Sequence, residues 1–593
     1  MAIPKPQRMS IWRKKDLTSI MSEAEGGEHS LKRSLGAFQL VALGIGAIIG
    51  AGLFVRTAAA AAEAAGNGVT ISFIVAAIGC AFAGLCYAEF AAMIPISGSA
   101  YAYSFVTMGE LVAWIIGWAL VMEYALGAAT VSIAWSEYLN NLLGGAIPYE
   151  WCHSPFESIS YLSGEAANAA ATLLDAGKSL HHGNLVLSAE QIGKLGPELS
   201  QQVHTASGII NAPALVILLA LTLLLIKGTK ESAFVNAIIV FLKVAIVLVF
   251  IVIGWQYIDG SHYEPFLIPE GVKGHEGFFE WGWGGVVGGA AIVFFAFIGF
   301  DAVSTAAQEA KNPKRDMPIG ILGSLVVCTI LYILFGHVLT GVAPWSDFGD
   351  PALGKEASVS YAISTYMKGY EWLSTGVTVA ILAGFSSVIL VMLMGQSRVF
   401  YSMSNDGLLP KAFGELHPKF KTPYKANWIL FVFVGAFAAF VPGSVAGDLT
   451  SFGTLFAFVL VSAGVWIMRV KNPEFKRPFK TPLVPFVPIM GIVICMGMIV
   501  ALDAETLKVA LLWMTGGINI YYLYSQFNSK LHNNDYYNRE NFIKHTFPIV
   551  LMTLVVLIAT ISAPDKLMIG VCVCQVFLTA YILMNQMIRH SKQ

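Results

Sequence analysis

Four glycines fall within nine residues of one apolar run, Gly44-Ile45-Gly46-Ala47-Ile48-Ile49-Gly50-Ala51-Gly52. Glycine weakens a helix, and two readings stay open. Gly46 and Gly50 form a G-x-x-x-G pair suited to close helix packing in a bilayer. Alternatively the helix breaks here, and its freed N–H groups face a cavity where the start of a half-helix receives a carboxylate. A second run, Phe294-Phe295-Ala296-Phe297-Ile298-Gly299-Phe300-Asp301, sets a glycine and an acid in apolar surroundings. Lys243, within Phe241-Leu242-Lys243-Val244-Ala245, reads as the one Lys or Arg in the core of an apolar run. An ionisable residue inside a membrane is costly and is a functional candidate by default. Lys243 either snorkels to an interface about 12 Å away or exchanges a proton during transport, with Ser386 and Ser387 as hydroxyl partners. Glu123, in Val121-Met122-Glu123-Tyr124-Ala125, receives a substrate amine or braces the broken helices. Asp301 caps or orients the half-helix that follows it, or binds substrate. Glu89, near the end of a run, bonds backbone groups or pairs at the interface.

The elements that must hold these residues are membrane spans. The 593 residues are 56% hydrophobic and 12% charged, with a mean hydropathy of +0.67, whereas soluble domains carry roughly 25% charged residues. A net charge of -1 leaves no basic field for nucleic acid. The basic N-terminal stretch lacks a short apolar core with a small-residue cleavage site, so no removable signal peptide is expected. Six of the seven cysteines lie in apolar runs, and no disulfide framework, metal site or cofactor follows. The pair His181-His182 reads as solvated loop residues before it reads as metal ligands.

A hydrocarbon core of about 30 Å needs roughly 20 apolar residues. Fourteen runs qualify: 36–60, 69–93, 110–141, 211–227, 234–257, 284–308, 318–343, 372–402, 426–442, 447–469, 482–502, 506–525, 546–563 and 566–588. That number puts both termini on one side. Of the 36 Lys and Arg, 27 fall on that side, eight on the other and Lys243 in a span; the positive-inside rule makes it the cytoplasm. The expected organisation is an N-terminal tail (1–34), a transporter core of ten spans (35–482) and four further C-terminal spans (483–593). An external insertion at about 142–210 is polar and Ala/Ser/Gly-rich, with helix-like stretches at 164–179 and 186–204. Interruptions in spans one and six, five apart, fit an inverted repeat with a binding site at the midplane.

The chain resembles the amino acid-polyamine-organocation superfamily and, within it, prokaryotic members of the cationic amino acid transporter family. The resemblance is carried by GIGAIIGAGLFV (44–55), AEFAAMIPISGSAYAYSF (88–105), WALVMEYALGAATVSIAWSEYL (118–139), FFAFIGFDAVSTAAQEAKNPKRDMPIGI (294–321), GQSRVFYSMSNDGLLP (395–410) and the stretch 449–482. It implies an all-α integral membrane protein with a LeuT-like 5+5 inverted repeat, broken helices 1 and 6, and alternating access. It implies that a substrate carboxylate meets N–H groups of Ile48, Ile49, Gly50, Ala51 and Gly52, and that the amine meets carbonyls of Phe295, Ala296 and Ile298. Lys243 would stand where sodium sits in sodium-coupled relatives, near the carbonyls of Gly46 and Ile49, which argues for the proton as coupling ion. In animal members that carry arginine and lysine, a small residue occupies the place of Met392. A methionine there favours small to medium neutral L-amino acids, with arginine and lysine as runner-up, unless Met392 merely packs against lipid or a neighbouring helix.

Other classes fit less well. No H-E-x-x-H, G-x-S-x-G or phosphate-cradling loop is present, so an enzyme is not expected, and nothing resembles a repeated channel filter. An exchanger and a non-transporting amino acid sensor remain as rivals. The expected partners are an amino acid and the bilayer of a plasma (inner) membrane, with an accessory subunit or an oligomer left open.

Overall fold

The computed structural model describes residues 13–16, 33–54, 56–173, 180–181, 184–187, 189–272, 274–349, 358–441, 443–500, 502 and 504–531. Within them the apolar runs fold as helices, because in lipid a helix satisfies every backbone group internally. We label α1 (Ala37–Ile48), α2 (Val69–Met93), α3 (Glu110–Leu142), α4 (Ala212–Lys227), α5 (Thr229–Gly254), α6 (Gly282–Phe294), α7 (Pro313–Val342), α8 (Glu371–Asn405), α9 (Tyr424–Phe440), α10 (Gly443–Lys471), α11 (Phe486–Val500) and α12 (Ala504–Ile520). Among the described residues, seven helical stretches are long and apolar enough to cross a membrane, and α1, α4, α9 and α11 are shorter apolar helices. Two of the fourteen expected spans, 546–563 and 566–588, lie outside the described residues.

Buried α1 is surrounded by α5, α7 and α8, while α2 packs along α6 and α7. Both expected interruptions are present. Helix α1 stops at Ile48; Ile49 is extended (φ -75, ψ 101), and the chain resumes helically only at Ala51–Phe54. Helix α6 gives way to a 3-10 turn at Phe295–Phe297, Ile298 leaves the helical region (φ -58, ψ 137), and a 3-10 helix then runs over Asp301–Glu309. Gly299 joins the two at φ 110, where a side chain would also meet the Ala47 methyl at 2.8 Å. Helix α3 carries a third irregularity, a π segment at Val121–Leu126 that holds Glu123.

The insertion corrects the sequence reading. Besides a helix at Gly164–Leu173, it holds a four-stranded antiparallel sheet in the order β2-β3-β1-β4, made of β1 (Ser158–Ser163), β2 (Leu180–His181), β3 (Asn184–Leu187) and β4 (His204–Ser207). The helix-like stretch 186–204 contains the end of β3, two short helices (Ala189–Lys194, Pro197–Ser200) and the start of β4. Strands this short carry no apolar run, and their pairing comes from partners distant in sequence, such as Leu162 opposite Leu185. Leu162, Ala167, Ala170, Leu185 and Leu187 form an apolar cluster of their own, separate from the helical core. His182 lies outside the described residues, and among the described residues no group of His, Cys, Asp and Glu is arranged to hold a metal ion.

Candidate functional site

The break in α1 is where the buried polar groups converge. Lys243 of α5 is fully buried, and its ammonium donates to Gly46 O at 2.9 Å, Ile49 O at 2.7 Å and Ser387 Oγ at 2.8 Å. An ammonium has three protons, and all three are placed. Ser387 in turn donates to Gly46 O at 2.6 Å. Lys243 therefore does not snorkel; it ties α5 to the last turn of α1 and to α8. Ser386, expected beside it, faces elsewhere: it donates to Leu382 O at 2.8 Å and accepts from Trp135 Nε1 at 3.0 Å. Successive helical residues differ by about 100° in direction, so only one of two adjacent serines faces a given neighbour.

The two breaks touch each other. A Cβ on Gly52 would lie 2.2 Å from the Ala296 Cα, so Gly52 is what lets the two chains meet. Each of the other glycines also abuts a different helix: Gly44 meets Ser324 of α7, Gly46 meets Asn236 of α5 and Gly50 meets Val388 of α8. Packing and interruption are thus two effects of the same residues. Of the carbonyls expected to receive an amine, Phe295 O accepts from Ile298 N at 3.3 Å. Ala296 O accepts from the Tyr332 hydroxyl at 2.9 Å. The same hydroxyl lies 2.9 Å from Ile48 O, so one phenolic proton serves both broken helices. Ala51 and Gly52 open the short helix after the break, where the first N–H groups have no partner within their own helix.

Beside the breaks, the Asp301 carboxylate accepts from Tyr124 Oη at 2.6 Å and stands at the start of the 3-10 helix, close to its own and the Ala302 N–H. Glu123 is fully buried next to Asp301 and Thr454, yet neither of its oxygens receives a well-formed hydrogen bond. Met392 is buried, with its thioether against Gly127 of α3: a Cβ there would come within 2.9 Å of the sulfur. Its neighbour is thus a helix rather than lipid. Glu89 is a junction, accepting from Arg469 (3.0 and 2.7 Å), Arg477 Nε (3.1 Å) and Thr481 N (2.7 Å). It ties the end of α2 to α10 and to the segment leading into α11.

A family model described as amino acid permease matches residues 35–525. The chain is 41% identical to the branched-chain amino acid permease BcaP of Bacillus subtilis (strain 168) over 88% of its own length and 99% of that protein. It belongs to the amino acid permease family. The permease is also 38% identical to the methylthioribose transporter of the same organism, over 88% of this chain and 99% of the relative. It is 30% identical to the vacuolar cationic amino acid transporter 4 of Arabidopsis thaliana, over 78% of this chain and 68% of that one. These relatives bear out the resemblance drawn from the motifs. They are named as permeases and transporters, a non-enzymatic class, and the permease is an integral membrane protein.

Two groups in the permease escaped the sequence reading. Tyr332 carries no charge and sits in an ordinary apolar span, so nothing marked it as the donor to both breaks. Arg398, near the end of the run 372–402, lies inside α8, fully buried and paired with Glu309 at 3.0 Å. Lys243 is therefore not alone as a buried cation. Arg398 has a carboxylate partner, whereas the partners of Lys243 are carbonyls and a hydroxyl.

Proposed function

We propose that this permease is a proton-coupled importer of small to medium neutral L-amino acids, branched-chain ones included, working by alternating access on a 5+5 inverted repeat with both termini in the cytoplasm. The observation that carries the reading is the Lys243 ammonium bound to two carbonyls at the α1 break. Losing a proton there removes a donor from the backbone whose shape defines the site, so proton binding and the conformation of the break are linked. The carboxylate is received at the N–H groups of Gly50, Ala51 and Gly52, because the Ile49 N–H donates to Ile45 O at 3.0 Å and Ile48 lies within α1, which removes both from the expected donors; the amine is received at free lone pairs of Phe295, Ala296 and Ile298 carbonyls. Val388 against Gly50 and Met392 against Gly127 supply apolar surface rather than an acid for a cationic side chain. The branched-chain permease among the relatives supports a neutral aliphatic substrate; the cationic transporters keep arginine and lysine as the second reading. The core of ten spans, followed by further C-terminal spans, belongs to the same proposal.

The test is uptake of labelled alanine, leucine and arginine into proteoliposomes, without sodium, with an inside-alkaline gradient. Gradient-driven alanine and leucine uptake supports the reading. Arginine uptake alone reverses the substrate, and substrate binding without flux in any condition makes the protein a sensor.

A further inference from the structure

Two turns from Lys243, toward the face that carries the N-terminal tail, α5 presents a second buried polar side chain, Asn236. It is 1% exposed. Residues seven apart lie on nearly the same face of a helix, here about 10.5 Å apart along its axis. The carboxamide packs against Gly46: a Cβ on that glycine would fall 2.6 Å from Asn236 Oδ1 and 2.8 Å from Nδ2. Gly46 is also the residue whose carbonyl holds Lys243, so Asn236 and Lys243 touch the same peptide of α1 from two sides. Asn236 Nδ2 donates to Ala42 O at 3.2 Å, which fixes the amide's orientation, since the opposite one would set two oxygens against each other. Oδ1 is left buried with no donor. An unpaired buried acceptor costs about 1–3 kcal/mol, and an alanine would avoid it.

We propose that Asn236 is the first station on the route by which the Lys243 proton leaves toward the N-terminal-tail face, its Oδ1 holding the water that takes the proton. In that step the N–H held by the Gly46 carbonyl, which lies beside Asn236, turns to that water; the N–H bond breaks, the water becomes a hydronium ion hydrogen-bonded to Oδ1, and lysine is left as a neutral amine. The hydronium then gives its proton to bulk water on that face. Around Lys243, α1 presents the carbonyls of Gly46 and Ile49, α8 the Ser387 hydroxyl and α7 the Cys328 thiol. Around Asn236, α1 presents the Ala42 carbonyl. No carboxylate stands among these contacts to take the proton instead. Asn236 is thus a positioning residue for the coupling step, and the inference rests on the proton-coupled reading.

The experiment reconstitutes the wild type, Asn236→Ala, Asn236→Ser and Lys243→Ala, and compares labelled-alanine counterflow at equal pH with gradient-driven uptake over a range of internal pH. Asn236→Ala is expected to keep counterflow while losing about tenfold or more of gradient-driven uptake, with a flattened internal-pH profile. Asn236→Ser, which restores an acceptor in less volume, is expected to recover much of that loss. Wild-type gradient-driven uptake and pH profile in Asn236→Ala would overturn the relay alone, and so would loss of counterflow together with uptake in both Asn236 variants, which marks a structural role. If wild-type uptake ignores the gradient, the proton-coupled reading falls and the relay with it.

Discussion

Lys243, Ser387 and Tyr332 divide the work of holding the α1 break. Lys243 was legible in the sequence because a charge among Phe241, Leu242 and Val244 is costly in a membrane, although only its contacts decide against snorkelling. Its partner was legible only to within one residue, since the phase of α8 decides between Ser386 and Ser387. Tyr332 was illegible, because an uncharged tyrosine suits an apolar span. It yields the sharpest stability prediction at this scale: Tyr332→Phe removes the donor to Ile48 O and Ala296 O and is expected to destabilise the protein by about 1–3 kcal/mol, read as a lower melting temperature in detergent. Met392→Ser empties space against Gly127 and is expected to admit longer or cationic side chains, read by competition against labelled alanine uptake. An unchanged substrate profile would mean that Met392 does not line the pocket.

At the scale of elements, the interruptions were readable because four glycines cluster in the first span and a glycine and an acid coincide in the sixth. What the sequence did not reveal is that the breaks meet at Gly52 and Ala296. A methyl on Gly52 would stand 2.2 Å from the Ala296 Cα, and backbone cannot rotate aside as a flexible side chain can. Gly52→Ala is therefore expected to push the two segments apart and reduce substrate binding at least about tenfold, measured by ligand-induced thermal stabilisation; Gly193→Ala, at a glycine with nothing within 4 Å, is the control. The π segment around Glu123 was likewise invisible, since a one-residue change of helical hydrogen bonding leaves no compositional trace.

Across the whole molecule, the helical core and the insertion are separate apolar units. The Leu162 cluster shares no members with the core, and the ends of the sheet return to each other, with Gly208 N donating to Glu157 O at 2.9 Å. Joining Glu157 to Gly208 in place of 158–207 is expected to leave uptake within about twofold of wild type, because insertions on surface connections cost little. A larger loss would assign the sheet a part in transport. The sequence placed this insertion but missed its strands, whose pairing is set by distant partners, whereas spans of twenty apolar residues are legible one at a time. On the opposite face, Lys15 of the N-terminal tail reaches Asp406 after α8 at 2.6 Å, and Tyr101 meets the same carboxylate at 2.8 Å. The tail is thus bonded to the core beside the end of the helix that carries Ser387.

The most direct test of coupling through Lys243 is the proton itself. Proteoliposomes loaded with a pH-sensitive dye, held at equal pH on both sides, are given alanine or leucine while internal pH and labelled uptake are followed together. Substrate is expected to acidify the lumen in step with its entry in the wild type, and Lys243→Ala is expected to abolish the acidification while retaining some substrate binding. Substrate entry without acidification in the wild type, or undiminished acidification in Lys243→Ala, would contradict the account.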